Sequence, residues 1–333
     1  MHKYAGSKRR MNTGAAAALL LGAILVGGTR HAGSPVPGGV RAATAHLGTP
    51  YGLIGVAFAG AQRGWVVGDQ GTILHTGDGG ATWQIQADPL PTSLIGVAFA
   101  DGQDGWVVGD QGTILRTTDG GAHWQSQPSG TVLDLRAVAA ASRLAAWVVG
   151  FQGTILRTSD GGASWQRQRS GTTRDLQGLA CVSSRQCWAV GDGGTILHTN
   201  DGGASWQPQR SPTTRLLLSV AFDTAQQGWA VGSSGTILHT ADGGATWQSQ
   251  PSGTDVDLLG VAASGSRQAW AVGWNGTLLR TADGGTTWHL QAISGQTLQA
   301  IAPAGGQQLW AVGMAGTILH SADGGAMWRV LPG

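Results

Sequence analysis

The sequence contains no glutamate, and all 18 of its acids are aspartate. Any paired-carboxylate chemistry would therefore rest on Asp alone. No lysine follows Lys8, and charged residues make up only 11% of the 333, so no basic run outside the first ten residues could track a nucleic acid. Two cysteines are too few for a disulfide framework or a tetrathiolate zinc site, and they do not form a Cys-x-x-Cys redox pair. Tyrosine and phenylalanine are scarce, at 2 and 4, and no segment beyond residue 50 carries a helical period. No Walker loop, dinucleotide fingerprint or Ser-His-Asp signature fits. The many Gly pairs therefore read as turns, and neither cofactor nor metal is expected.

The first residues differ from the rest. Lys8, Arg9 and Arg10 precede an apolar run over residues 14–28, shorter than the roughly 20 residues that span a bilayer. Residues 1–28 read as a signal peptide or an uncleaved signal anchor, and 29–47 as a flexible Gly/Pro/Ala linker. Either form exports the remainder to a periplasmic, lumenal or extracellular space, held at the membrane through residues 14–28 if uncleaved. Residues 1–45 hold six basic residues and no acid, whereas the remainder holds 14 Arg against 18 Asp. The net charge of +2 thus hides a mildly acidic main body.

What abounds is tryptophan, 15 in all, and its spacing is regular. One set falls at Trp65, Trp106, Trp147, Trp188, Trp229, Trp270 and Trp310, and a second at Trp83, Trp124, Trp165, Trp206, Trp247, Trp288 and Trp328. The step is 41 residues five times and then 40. Each unit divides into four short β-prone runs separated by Gly/Asp turns; in the first these are 53–59, 64–68, 72–76 and 82–86, here called strands A to D. A period near 41 with four strands per unit predicts an all-β fold, a seven-bladed β-propeller over residues 48–333. Closing the ring also covers the sheet edges that a linear stack would expose.

Between strands C and D each unit carries S/T-x-D-x-G-x-x-W, with its acid at Asp78, Asp119, Asp160, Asp201, Asp242, Asp283 and Asp323. Such a carboxylate can accept hydrogen bonds within its own turn while the Trp folds back between sheets. These seven Asp are read as structural rather than catalytic.

The fuller string Trp106-Val107-Val108-Gly109, Gly112-Thr113-Ile114-Leu115-Arg116-Thr117, Asp119-Gly120-Gly121 and Trp124 resembles the photosystem II stability/assembly factor family of Asp-box (BNR) repeat propellers. The resemblance covers about residues 48–333. It implies an exported, non-enzymatic protein that binds newly made reaction-centre protein through an arginine-rich patch on one face.

Cys181 and Cys187 flank the A–B hairpin of the fourth unit and are expected to face each other across it as a disulfide. Recognition is sought where the repeats differ. The position after Val-Gly at the B–C turn reads Asp69, Asp110, Phe151, Asp192, Ser233, Trp274 and Met314, and its three large apolar members mark a contact patch. On the same face, the D–A loops place Arg169 and Arg210 one period apart, and likewise Arg174 and Arg215, with Arg167 beside them. Together Arg167, Arg169, Arg174, Arg210, Arg215, Phe151, Trp274 and Met314 form the candidate partner-binding set. A further ring in strand C, His75, Arg116, Arg157, His198, His239, Arg280 and His320, is expected to hydrogen-bond between blades and lies too far from the axis for a metal ring.

Asp boxes also occur in sialidase-like glycosidases, which need a Tyr nucleophile with a Glu partner. Here there is no Glu, and Tyr51 is the one Tyr outside the leader. A pair of Asp such as Asp69, Asp110 or Asp192 could still serve another glycoside hydrolase. The favoured reading is a monomeric binding scaffold for a protein partner, a membrane protein among the candidates, and not for nucleic acid. Its rival is a glycan-binding, lectin-like propeller with Trp274 and Phe151 as stacking platforms.

Overall fold

The computed structural model describes residues 51–86, 91–293 and 295–331. The leader and linker expected over residues 1–47 lie outside them. The described chain forms seven four-stranded antiparallel sheets, each ordered as in the sequence. In the first blade strand A is Leu53–Ala59, B is Arg63–Gly68, C is Ile73–Thr76 and D is Gln84–Gln86. The A strands pack on one another around the ring, and that of blade 7, Leu298–Pro303, returns to that of blade 1. Strand B is buried at every residue from the Trp to the Gly in all seven sheets, because a neighbouring blade covers each of its faces. That explains its unbroken apolar character where a half-exposed strand would alternate.

The first tryptophan set holds the blades together. Trp65 stacks on Phe99 of the next blade at 3.5 Å, and Trp188 on Phe222 at 3.7 Å. Their indole N–H groups donate to the next Asp box, Trp65 to Gly120 O and Trp188 to Gly243 O, each at 3.0 Å. Burying a Trp removes about 150–250 Å² of surface, so repetition of this contact holds a glycine-rich chain in register.

At the end of strand A the blades trade volume across a cross-strand pair. Phe58, Phe99 and Phe222 face Gly64, Gly105 and Gly228. Ala140 and Ala263 face Ala146 and Ala269, Cys181 faces Cys187, and Pro303 faces Leu309. A Cβ on Gly105 would stand 2.5 Å from the Phe99 ring, so the larger partner requires the glycine. The expected disulfide forms in this slot, with its Cα atoms 4.1 Å apart, as befits a cross-strand pair without ladder hydrogen bonds.

The strand-C ring departs from expectation. Six of its seven residues, all but Arg280, lie against the Trp directly opposite in their own blade rather than bonding between blades. Arg116 lies 4.3 Å over Trp106, His198 4.7 Å from Trp188 and His320 4.3 Å from Trp310. The cause is register: Trp on strand B and His or Arg on strand C are paired cross-strand neighbours, as in Trp106↔Arg116 and Trp188↔His198. Burial lowers the pKa of His75, His198, His239 and His320 and keeps them neutral.

Each box is a closed hydrogen-bonded turn. Thr158 Oγ1 donates to Asp160 Oδ1 at 2.8 Å and accepts from Gly162 N at 2.7 Å, while Ser164 donates its N–H to Oδ1 and its hydroxyl to Oδ2 at 3.0 and 2.6 Å. The Ser164 hydroxyl, then its N–H, hold Asp160 down to about 2. Four of the others are lowered by the equivalent bonds, Asp119 by the N–H and ring of His123, and Asp323 by the Met327 N–H first. A carboxylate so fully engaged and so acidic is no proton donor at neutral pH.

Among the described residues ring closure uses no exchanged strand, each sheet being four consecutive strands. Five box tryptophans donate to a glutamine at or just past the end of strand D of the preceding blade, as Trp165 does to Gln127 at 3.1 Å. At the seam Leu331 occupies that glutamine's place and packs with Phe58, Trp83 and Trp310; Trp83 Nε1 has no acceptor, and neither has Trp328 Nε1 in the preceding blade. Blades 7 and 1 therefore join by apolar packing, and Gly316 N still donates to Tyr51 O at 3.1 Å across the junction.

Candidate partner-binding face

The B–C turns and D–A loops share one end of the ring. In six blades the B–C turn is a short 3-10 turn whose middle residue has positive φ, for instance Gln70 at 58° and Asn275 at 57°. Each of the six packs on the innermost strand of the next blade. The turn's first residue therefore sits over the inner strands, near the axis. Three turns are pinned by an Asp from the following D–A loop: Gln111 N donates to Asp134 at 3.0 Å, Gln152 N to Asp175 at 2.8 Å and Ser234 N to Asp257 at 2.8 Å. These acids were missed in the sequence, although Asp134 and Asp175 stand one period apart.

The variable ring sorts by sector. Asp69 accepts from Ser93 at 3.1 Å. The pKa of Asp110 is raised, first by burial and then by the charge of Asp134. That of Asp192 is raised by burial and by Asp175. Phe151 is not a free platform, because the Arg136 guanidinium covers it at 4.3 Å. Trp274 and Met314 remain exposed, as does Tyr51 at the entry to blade 1. Among the described residues no group of three His, Cys or Asp could hold a metal ion.

The loop arginines are all exposed. Arg174 donates Nη1 to Gly193 O at 3.0 Å, and Arg215 donates Nη1 to Ser234 O at 2.7 Å. Each thus lies across the B–C turn of the blade its loop enters, in the same way one period apart. Arg174 Nη1 also lies 3.5 Å from Thr195 Oγ1, and both arginines are exposed. Arg167, Arg169 and Arg174 line an open groove with Gly153, Gln168, Ser170 and Thr172. The matching groove one blade earlier is neutral, lined by Ser126, Gln127, Pro128, Ser129 and Val132. Arg210 repeats the position of Arg169 in the next loop.

The profile of the family described as photosynthesis system II assembly factor YCF48 matches residues 41–126, 87–138, 129–210, 205–258 and 252–332. No curated protein matches the chain. A solved structure titled YCF48 bound to D1 peptide is similar with a TM-score of 0.71 and 26% identity, over 83% of this chain and 94% of that one. YCF48 from Cyanidioschyzon merolae gives a TM-score of 0.69 and 24% identity over 82% and 96%. The GH74 xyloglucanase from Xanthomonas campestris gives 0.68 and 16% over 84% and 54%. The last two identities carry the fold alone.

Proposed function

The chain belongs to the family of the photosynthesis system II assembly factor YCF48, and from that premise we propose a non-enzymatic, exported, monomeric scaffold that binds a segment of a membrane-protein partner on its loop face. The observation that carries this reading is the matched placement of Arg174 and Arg215 on adjacent blades. Arginine offers a planar fork of donors suited to carboxylates. Arg167, Arg169 and Arg210 extend the same positive field along the rim. The relative whose structure holds a D1 peptide supplies the class of ligand, a peptide.

Replacing Arg169, Arg174, Arg210 and Arg215 by Ala and titrating a D1 peptide calorimetrically tests it. Binding by the native chain and a loss of about tenfold or more in the variant are expected, and equal binding would overturn the assignment. Fractionating cells that make the full chain, and a form lacking residues 1–28, tests export. The hydrolase alternative draws on fold likeness to GH74 enzymes and on the acids near the axis, and xyloglucan turnover by the purified chain would establish it. A glycan reading draws on exposed Trp274, and binding on a glycan array that falls in Trp274→Ala would favour it.

A further inference from the structure

Around the loop face the blades run in a chemical order. Blades 4 and 5 carry Arg174 and Arg215, with Asp192 in the turn of blade 4, blades 6 and 7 carry Trp274 and Met314, and blades 1 and 2 carry Asp69 and Asp110. We propose that the partner is held as an extended acidic–apolar segment, its acidic part over blades 4 and 5 and a large apolar side chain on Trp274, Met314 and Tyr51. This rests on the peptide-binding reading above and adds to it the segment's composition and the placing of its two parts.

The apolar arc is not a requirement of the turn. The same backbone turn accepts Asp at that position in blades 1, 2 and 4. Packing therefore gives no reason for Trp or Met there, yet Trp274 is 51% exposed, Met314 40% and Tyr51 43%. Tyr51 and Met314 adjoin: Gly316 N bonds to Tyr51 O, and a Cβ on Gly52 would stand 3.0 Å from Met314 Sδ. Exposed aromatic and Met side chains on successive blades, with arginines on the blades before them, are the make-up of an interface core with a charged rim.

Charge places the acidic part. Arg174 and Arg215, with Arg167, Arg169 and Arg210, outnumber Asp175 and Asp192 of blade 4 and Asp255 and Asp257 of the loop before Trp274, whereas Asp69, 2.9 Å from a Cβ on Gly52, and Asp110 follow the arc. Acids on the segment gain attraction over blades 4 and 5 and meet like charge at blades 1 and 2. Acidic and apolar groups are thus both required.

The experiment uses the full chain and three Gly/Ser-based peptides of about twelve residues, which span about 40 Å when extended. One carries Asp at one end and Leu near the other, the second has Leu replaced by Ser, and the third has Asp replaced by Ser. Trp274, the exposed tryptophan among the described residues, reports directly through acrylamide quenching of its fluorescence. The first peptide is expected to shield Trp274 and to bind about tenfold more tightly than the other two. Trp274→Asp and Met314→Asp, which copy the turn of blades 1, 2 and 4, should erase the Leu preference and leave the melting temperature unchanged. If the first two peptides bind equally while the arginine variant still loses binding, the apolar seat is wrong and the peptide reading stands. If no peptide binds, both fall. If glycans alone shield Trp274, the seat belongs to sugar and the proposal is overturned.

Discussion

The two ends of this ring follow opposite rules. At the Asp-box end seven turns repeat one hydrogen-bond pattern, down to a Ser or Thr hydroxyl on each carboxylate. At the loop end the backbone turn recurs but the residue it presents changes through Asp, Phe, Ser, Trp and Met. Where backbone and side chains repeat together, geometry demands them. Where the backbone repeats and the side chains vary, the fold is indifferent and something outside the chain can choose. Stability and recognition should therefore be separable by mutation.

The largest effect should come from the repeated part. Trp188→Ala removes a buried ring stacked between blades and is expected to cost about 3–5 kcal/mol, read by denaturant unfolding, with no selective loss of peptide contacts. Thr158→Val strips the buried hydroxyl that serves Asp160 and Gly162 and should cost about 1–3 kcal/mol. The double change Arg174→Ala with Arg215→Ala should do the reverse, leaving the unfolding midpoint in place while peptide affinity drops about tenfold. A large stability loss in that variant would break the separation.

Acid should act at the box end in two ranges. The buried histidines have pKa values below their unfolded ones, so their contribution is complete above about pH 6.5 and declines below it. The box carboxylates, lowered to about 2 at Asp78, Asp119 and Asp160, contribute fully above about pH 4 and are lost as pH falls through about 2. Melting temperature against pH should therefore show a shallow fall below about 6.5 and a steeper one below about 4. A raised pKa works the other way at Asp110 and Asp192, whose protonation relieves a charge penalty and slightly opposes that fall.

Much of the fold was legible because one residue type marks the period. The two tryptophan sets gave blade number, strand order and box positions, since each Trp occupies a fixed place in a four-stranded unit. The strand-C ring was misread because its partner depends on cross-strand register: Trp188 and His198 are ten residues apart in the sequence and opposite in the sheet. Phe151 looked free because the residue covering it, Arg136, comes from the start of the A strand, where no repeat marks the orientation. Closure was illegible for a related reason. At the seam Leu331 stands for the recurring glutamine, and its packing on the first blade appears only when the first and last blades meet.

The slot at the end of strand A has a practical consequence. Because Cys181 and Cys187 occupy the place that Phe99 and Gly105 fill in another blade, the protein supplies its own template for a thiol-free form. Cys181→Phe with Cys187→Gly should fold with little change in melting temperature under oxidising or reducing conditions. It would free cysteine chemistry for a single dye or spin label at any chosen loop, on a scaffold indifferent to the compartment in which it is made.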